Sequence, residues 1–239
     1  MGSQRVAIVT GASGAGIGRS VALTLARDGF AVAVNYRSSF DRAKAIAKSI
    51  IGGGGTAKAI QADVLKPSDC DALVEETVSS LGRVDACVIC PGGDFHPEPP
   101  EQLDSEAALK DVMHEVSPIY YLVPKLVREM KKNPGGRIVT IASNMAIPSP
   151  SYAYNTAKRA RIDAMLGLVS PMWNDRITIN VVAPGPVDHL GELSEAEALA
   201  ANGVGAIPKV TPQDVAEAIS YLCSESARYV TGNVLELRF

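Results

Sequence analysis

The chain has 239 residues, 46% of them hydrophobic and 21% charged, with a formal net charge of -3. This describes one globular domain over residues 1–239 and gives no electrostatic case for nucleic acid or an anionic membrane surface. No apolar run reaches the ~18 residues of a spanning helix, no secretory signal is read at the N-terminus, and four cysteines at this length do not make a disulfide framework, so a reducing, cytoplasmic setting is expected.

Residues 5–10 (RVAIVT) form a β-branched run that ends in a glycine cluster, which predicts a first strand. Residues 20–28 place Val21, Leu23, Leu25 and Ala26 in a helical pattern, with Gly29 as the stop. A second strand is predicted at 31–35 (AVAVN), a helix at 41–51 broken by the glycines of 52–55, and a third strand at 57–62. A helix over 67–81, with Ser68 or Asp69 near its start, leads to a fourth strand at 86–90 (ACVIC). Residues 105–131 carry a longer helical pattern with an interruption near Pro118. A fifth strand at 137–142 (RIVTIA), a helix at 152–168, a sixth strand at 177–183 (ITINVVA), a helix at 213–224 and a last strand at 233–237 follow. Strand and helix alternate, and the strands are continuous apolar runs. The fold class is therefore α/β, a doubly wound parallel sheet covered by helices on both faces.

Between the first strand and first helix lies Thr10-Gly11-Ala12-Ser13-Gly14-Ala15-Gly16-Ile17-Gly18. Glycines at such a turn let the backbone approach a pyrophosphate, and the helix N-terminus offers free N–H groups to the anion. Gly11, Ser13, Gly16 and Ile17 are the candidate contacts. The second strand leads into Arg37 and Ser38, a cation and a hydroxyl where an acidic residue would favour the ribose 2′-hydroxyl. That chemistry points to NADP over NAD. Asp63, after the third strand, is placed either to accept from the adenine amino group or to act as a turn residue.

Tyr154 and Lys158 are four residues apart, on one face of the predicted fifth helix. A phenol titrates near pH ~10, and a neighbouring ammonium stabilises the phenolate, which suits the pair to acid–base work beside a carbonyl.

Taken together, these residues resemble the short-chain dehydrogenase/reductase family. The resemblance rests on the Thr10–Gly18 loop, Asp63-Val64, Val84-Asp85, Ser143, Tyr154 with Lys158, Asn180 and Pro184-Gly185. It implies a Rossmann-like sheet of about seven strands, NAD(P)-dependent carbonyl or alcohol chemistry on a small molecule, and a homo-oligomer, tetramer or dimer. It also implies that Tyr154 donates the proton to the substrate oxygen and that Ser143 hydrogen-bonds that oxygen. Lys158 would hold the nicotinamide ribose and depress the Tyr154 pKa. Val64, Pro91 and Gly92 would contact the cofactor, and Pro184, Gly185 and Val187 would line the nicotinamide pocket. By position, Met145, Tyr152 and His189 are the candidate substrate contacts.

Five departures from the family pattern bear on function. The glycine loop carries one extra residue within 13–15. Ile89-Cys90-Pro91-Gly92 stands for Asn-Asn-Ala-Gly, so the side chains that brace the central sheet are lost. Cys87 and Cys90 read as buried small hydrophobes rather than a metal or redox pair. Glu115, beside His114, falls where the family has its relay asparagine; either residue serves in a relay to Lys158, or both are solvated and the relay is absent. The interval from Ser143 to Tyr154 is about two residues short, which tightens the intervening loop. His189 replaces the threonine that contacts the nicotinamide carboxamide. The segment 188–210 is short, which implies a more open pocket. An NADP(H)-dependent oxidoreductase is the first reading, and a non-redox protein of the same fold, a cyclase, an isomerase or a nucleotide-binding regulatory module, is the second.

Overall fold

Seven strands form one parallel sheet, ordered β3-β2-β1-β4-β5-β6-β7. The strands are β1 (Val6–Val9), β2 (Ala31–Tyr36), β3 (Ala57–Gln61), β4 (Ala86–Ile89), β5 (Arg137–Ile141), β6 (Thr178–Pro184) and β7 (Val234–Leu237). The helices are α1 (Ile17–Arg27), α2 (Phe40–Gly52), α3 (Pro67–Leu81), α4 (Ser105–Met130), α5 (Tyr152–Leu166), the short α6 (Val169–Met172) and α7 (Pro212–Cys223). This computed structural model describes residues 4–14, 16–93, 99–133, 135–143, 151–187 and 210–238. Among them, no helix is long and apolar enough to cross a membrane.

The sheet is buried on both faces because successive strand residues point to opposite sides. Ala7 and Val9 of β1 pack with Val21 and Leu25 of α1, Ile46 and Ile50 of α2, and Ile219 and Leu222 of α7. Ile8, between them, packs on the other face with Leu73 of α3, Ile119, Leu122 and Leu126 of α4, and Met165 of α5. The strand order reverses at β1, which pairs with β2 on one side and with β4 on the other, Ala7 opposite Ala86. A crevice opens at the carboxyl ends of the strands at such a switch point.

The interruption expected near Pro118 is not found: α4 runs unbroken with Pro118 and Pro124 inside it. A proline in a helix interior costs about 3 kcal/mol. The same helix fully buries Ile119, Leu122, Leu126 and Met130, each contributing about 1.5–3 kcal/mol. Packing therefore outweighs the two lost backbone bonds. Asp104 caps the helix start by accepting from the N–H groups of Glu106 and Ala107.

Candidate active site

The glycine loop leaves β1 through Thr10, whose hydroxyl donates to the Val88 carbonyl at 3.2 Å and accepts from the Cys90 N–H at 3.1 Å. Gly11 has a φ of +62, and its N–H donates to the side-chain oxygen of Asn35 at 3.2 Å. Asn35 also donates to the carbonyls of Ile60 and Ala62, so one buried amide ties the loop to β2 and β3. At Gly18 a Cβ would sit 2.7 Å from the Gly11 carbonyl oxygen, which requires glycine for loop and helix to close. Beside the loop is a cleft of about 250 Å³ lined by Gly11, Ser13, Arg37, Ser38, Asp63 and Val64, with Pro91, Gly92 and His114 on its other wall. Its lining has the glycine-loop backbone at Gly11 and Ser13, one exposed cation and a carboxylate, which fits a dinucleotide. Asp63 Oδ1 accepts from the Leu65 N–H at 3.1 Å, so this residue does form the turn that the sequence allows. Gly16 is the N-cap of α1 and Ile17 its first residue.

At the carboxyl edge of β5, Ser143 hydrogen-bonds the half-buried Tyr154. Lys158 lies one turn along α5 with its Nζ 5.3 Å from the Tyr154 ring centre. Glu115 of α4 is buried and meets Lys158 with Oε1 2.7 Å from Nζ. The register expected for Glu115 thus brings it to the lysine, and the reading of it as a solvated residue is excluded. The same carboxylate accepts from the Gly93 N–H at 2.6 Å. Its Oε2 lies 2.7 Å from Arg161 Nε but takes no hydrogen bond, because that N–H is directed to the Glu115 carbonyl at 3.1 Å.

One electrostatic expectation changes. The Tyr154 phenol is pushed up, first by burial and then by the Glu115 carboxylate, against smaller opposing effects of Ser143 and Arg161. The physical reason is that burial disfavours the charged phenolate and the Glu115 carboxylate repels it. Burial lowers Lys158 itself, Glu115 opposes that, and Arg161 adds to it.

The sequence profile described as enoyl-(acyl carrier protein) reductase matches residues 11–237. The chain belongs to the short-chain dehydrogenase/reductase family. It is 32% identical over 246 residues to an uncharacterized oxidoreductase of Methylorubrum extorquens, with 97% of this chain and 95% of that one aligned. It is likewise 32% identical to the 3-oxoacyl-[acyl-carrier-protein] reductase FabG of Staphylococcus epidermidis, over 97% and 96% of the two chains. Among solved structures it is similar to the acetoin dehydrogenase YohF of Salmonella typhimurium, at a TM-score of 0.85 and 27% identity over 98% and 94% of the chains.

In this short-chain dehydrogenase/reductase, the lost Asn-Asn-Ala-Gly bracing has visible substitutes. Thr10 links β1 to β4, and the Thr140 hydroxyl donates to the Ile89 carbonyl at 3.0 Å to link β5 to β4. Arg161 donates to the carbonyls of Pro91 and Ile141, at the ends of β4 and β5. Pro91 packs against Gly11, where a Cβ would lie 2.9 Å from its Cγ. Cys87 is buried in β4, and burial pushes the Cys90 thiol up to about 12, so both behave as small hydrophobes. Pro184 ends β6, the Gly185 N–H donates to the Leu237 carbonyl at 2.9 Å, and Val187 bridges to Val210. Tyr152 opens α5 and is exposed. Met145, His189 and Ala15, one of the positions 13–15 among which the extra loop residue falls, lie outside the described residues, as do 144–150 and 188–209.

Sequence reasoning missed Arg161 and Asn35. Arg161 is seven residues after Tyr154, hence on the same helical face as Tyr154 and Lys158. That spacing was the available signal.

Proposed function

We propose that this short-chain dehydrogenase/reductase interconverts a carbonyl and an alcohol on a small organic substrate, with NADP(H) as the hydride carrier. The observation that carries the reading is the grouping of Ser143, Tyr154 and Lys158 beside the dinucleotide cleft. When bound, the nicotinamide supplies hydride to, or takes it from, the substrate carbon. Tyr154 then passes its phenolic proton to the developing alkoxide, and Ser143 donates a hydrogen bond to the same oxygen. Lys158, held by Glu115, is the cation for the ribose hydroxyls. Arg37 and Ser38 are the residues for the 2′-phosphate. Gly11, Ser13, Gly16 and Ile17 serve the pyrophosphate, and Asp63 and Val64 serve the adenosine. The departures that suggest a non-redox role leave Tyr154, Ser143 and Lys158 together, so the redox reading is preferred.

A homo-oligomer is supported by Leu109, Met113 and Tyr120, three large apolar side chains exposed on one face of α4. The names of the relatives suggest which ketones to try first. The test is NADPH oxidation followed by absorbance with a panel that includes a 3-oxoacyl thioester and acetoin. Turnover on at least one member is the expected result. NADPH binding without oxidation by any member would sink the reading.

A further inference from the structure

Arg161 is the largest fully buried side chain in the described core, at 0% exposure. A guanidinium stays charged at any ordinary pH and is almost never fully buried without partners. Here it is held from three elements. It donates to the carbonyls of Pro91 after β4, Ile141 of β5 and Glu115 of α4, and its Nε sits 2.7 Å from Glu115 Oε2.

The charge count around Tyr154 follows directly. Two buried cations, Lys158 and Arg161, share one buried carboxylate, each at 2.7 Å. A carboxylate can cancel one of them. Lys158 meets the carboxylate oxygen that the Gly93 amide also uses and Arg161 faces the other, so the three side chains together carry one net positive charge. We propose that Arg161 is a positioning residue of the active site, whose fixed buried charge offsets the Glu115 carboxylate at the Tyr154 phenol. This rests on the reading of Tyr154 as the acid/base group.

Among the described residues, the groups that share this environment are few. From α4 they are Glu115, with His114 beside it on the cleft wall and Asp111 one turn earlier, whose carboxylate approaches Gly93. From α5 they are Lys158 and Arg161, from the end of β5 Ser143, and from the end of β4 Cys90, whose thiol stays protonated. Arg161 favours the phenolate, Glu115 opposes it, and burial opposes it most. The fork of Arg161 is pinned at the ends of two strands, so its charge cannot follow a moving ligand. The Lys158 side chain, on a flexible stem, can turn toward a ribose. A fixed cation and a mobile one divide the two tasks that the family assigns to its lysine.

The test is titration of Tyr154 by NMR with tyrosine carrying ¹³C at Cζ, the resonance being assigned by its loss in Tyr154→Phe. This reads the phenol itself and needs no substrate, so it is independent of whether a ketone is ever reduced. Arg161→Gln, which keeps donors for the carbonyls but no charge, is expected to raise the Tyr154 midpoint by about one pH unit. Arg161→Lys is expected to restore it. Glu115→Gln should lower it, and Glu115→Gln/Arg161→Gln should titrate above Glu115→Gln. The last comparison decides the matter even if Arg161→Gln alone does not fold. An Arg161→Gln midpoint equal to that of the wild type, or a double variant equal to Glu115→Gln, would overturn the proposal and leave Arg161 as a brace between strands.

Discussion

Glu115 Oε1 lies 2.7 Å from Lys158 Nζ, with both side chains buried, and Gly92 leaves the room for them. A Cβ on Gly92 would stand 2.6 Å from Glu115 Oε1 and closer still to Lys158 Nζ. Lysine has slack in its stem, but the carboxylate is held from the other side by Arg161, so the lysine is the group that moves. Gly92→Ala is expected to cost about 1–3 kcal/mol, as overpacking does, and to weaken NADPH binding by more than that loss of stability explains. Urea unfolding and a cofactor titration on the same variant check it. Unchanged cofactor affinity would show that the position of Lys158 does not matter to the dinucleotide.

Arg37 is exposed at the end of β2, and it lines the cleft together with Ser38. A hydrogen bond to a charged group contributes about 1.5–3 kcal/mol, which is roughly a tenfold to hundredfold effect on affinity. Arg37→Asp should therefore weaken NADPH by that factor and leave NADH binding equal or improved, since the new carboxylate can accept from a free 2′-hydroxyl. Equal losses for both cofactors would place the 2′-phosphate elsewhere.

The cysteines set an alkaline limit on stability. Burial pushes Cys70, Cys90 and Cys223 from an ordinary value of 9.0 to about 12, and Cys87 well above it. The folded chain therefore keeps protons that the unfolded chain releases. Stability is full below the ordinary thiol pKa and falls as pH rises from there toward about 12. For the fully buried Cys223, roughly 1.4 kcal/mol is lost between about pH 8 and about pH 10. Cys223→Ala should flatten the fall in urea-unfolding free energy by that amount. A slope equal to that of the wild type would contradict it.

Much of the fold was legible in the chain because most of the strands are short apolar runs, and their alternation with helices leaves one sheet type. The doubly wound parallel sheet and the glycine loop after β1 follow from it, whereas the order of the strands is known only from the structure. Long-range geometry was less legible. Pro118 of α4 read as a break because local rules carry no information on the apolar surface that α3 and α5 offer to that helix. Glu115 was open between relay and solvent because a helix face acquires its neighbour only on packing. Arg161 escaped notice for a related reason: an arginine two turns from a catalytic tyrosine reads as surface until its partners are known. Two of those partners are backbone carbonyls at strand ends, which leave no mark in sequence. Asp63 was readable as a turn residue, and its Oδ1 does accept from the Leu65 N–H.

The most direct measurement is Tyr154→Phe in the NADPH-oxidation assay, together with its cofactor affinity. General acid catalysis contributes typically 10²–10⁴-fold, and the hydroxyl lies at the Ser143 end of the site rather than in the adenosine cleft. The account predicts a loss of ketone reduction of about 10²-fold or more with NADPH affinity nearly unchanged. Near-normal reduction by Tyr154→Phe would contradict it.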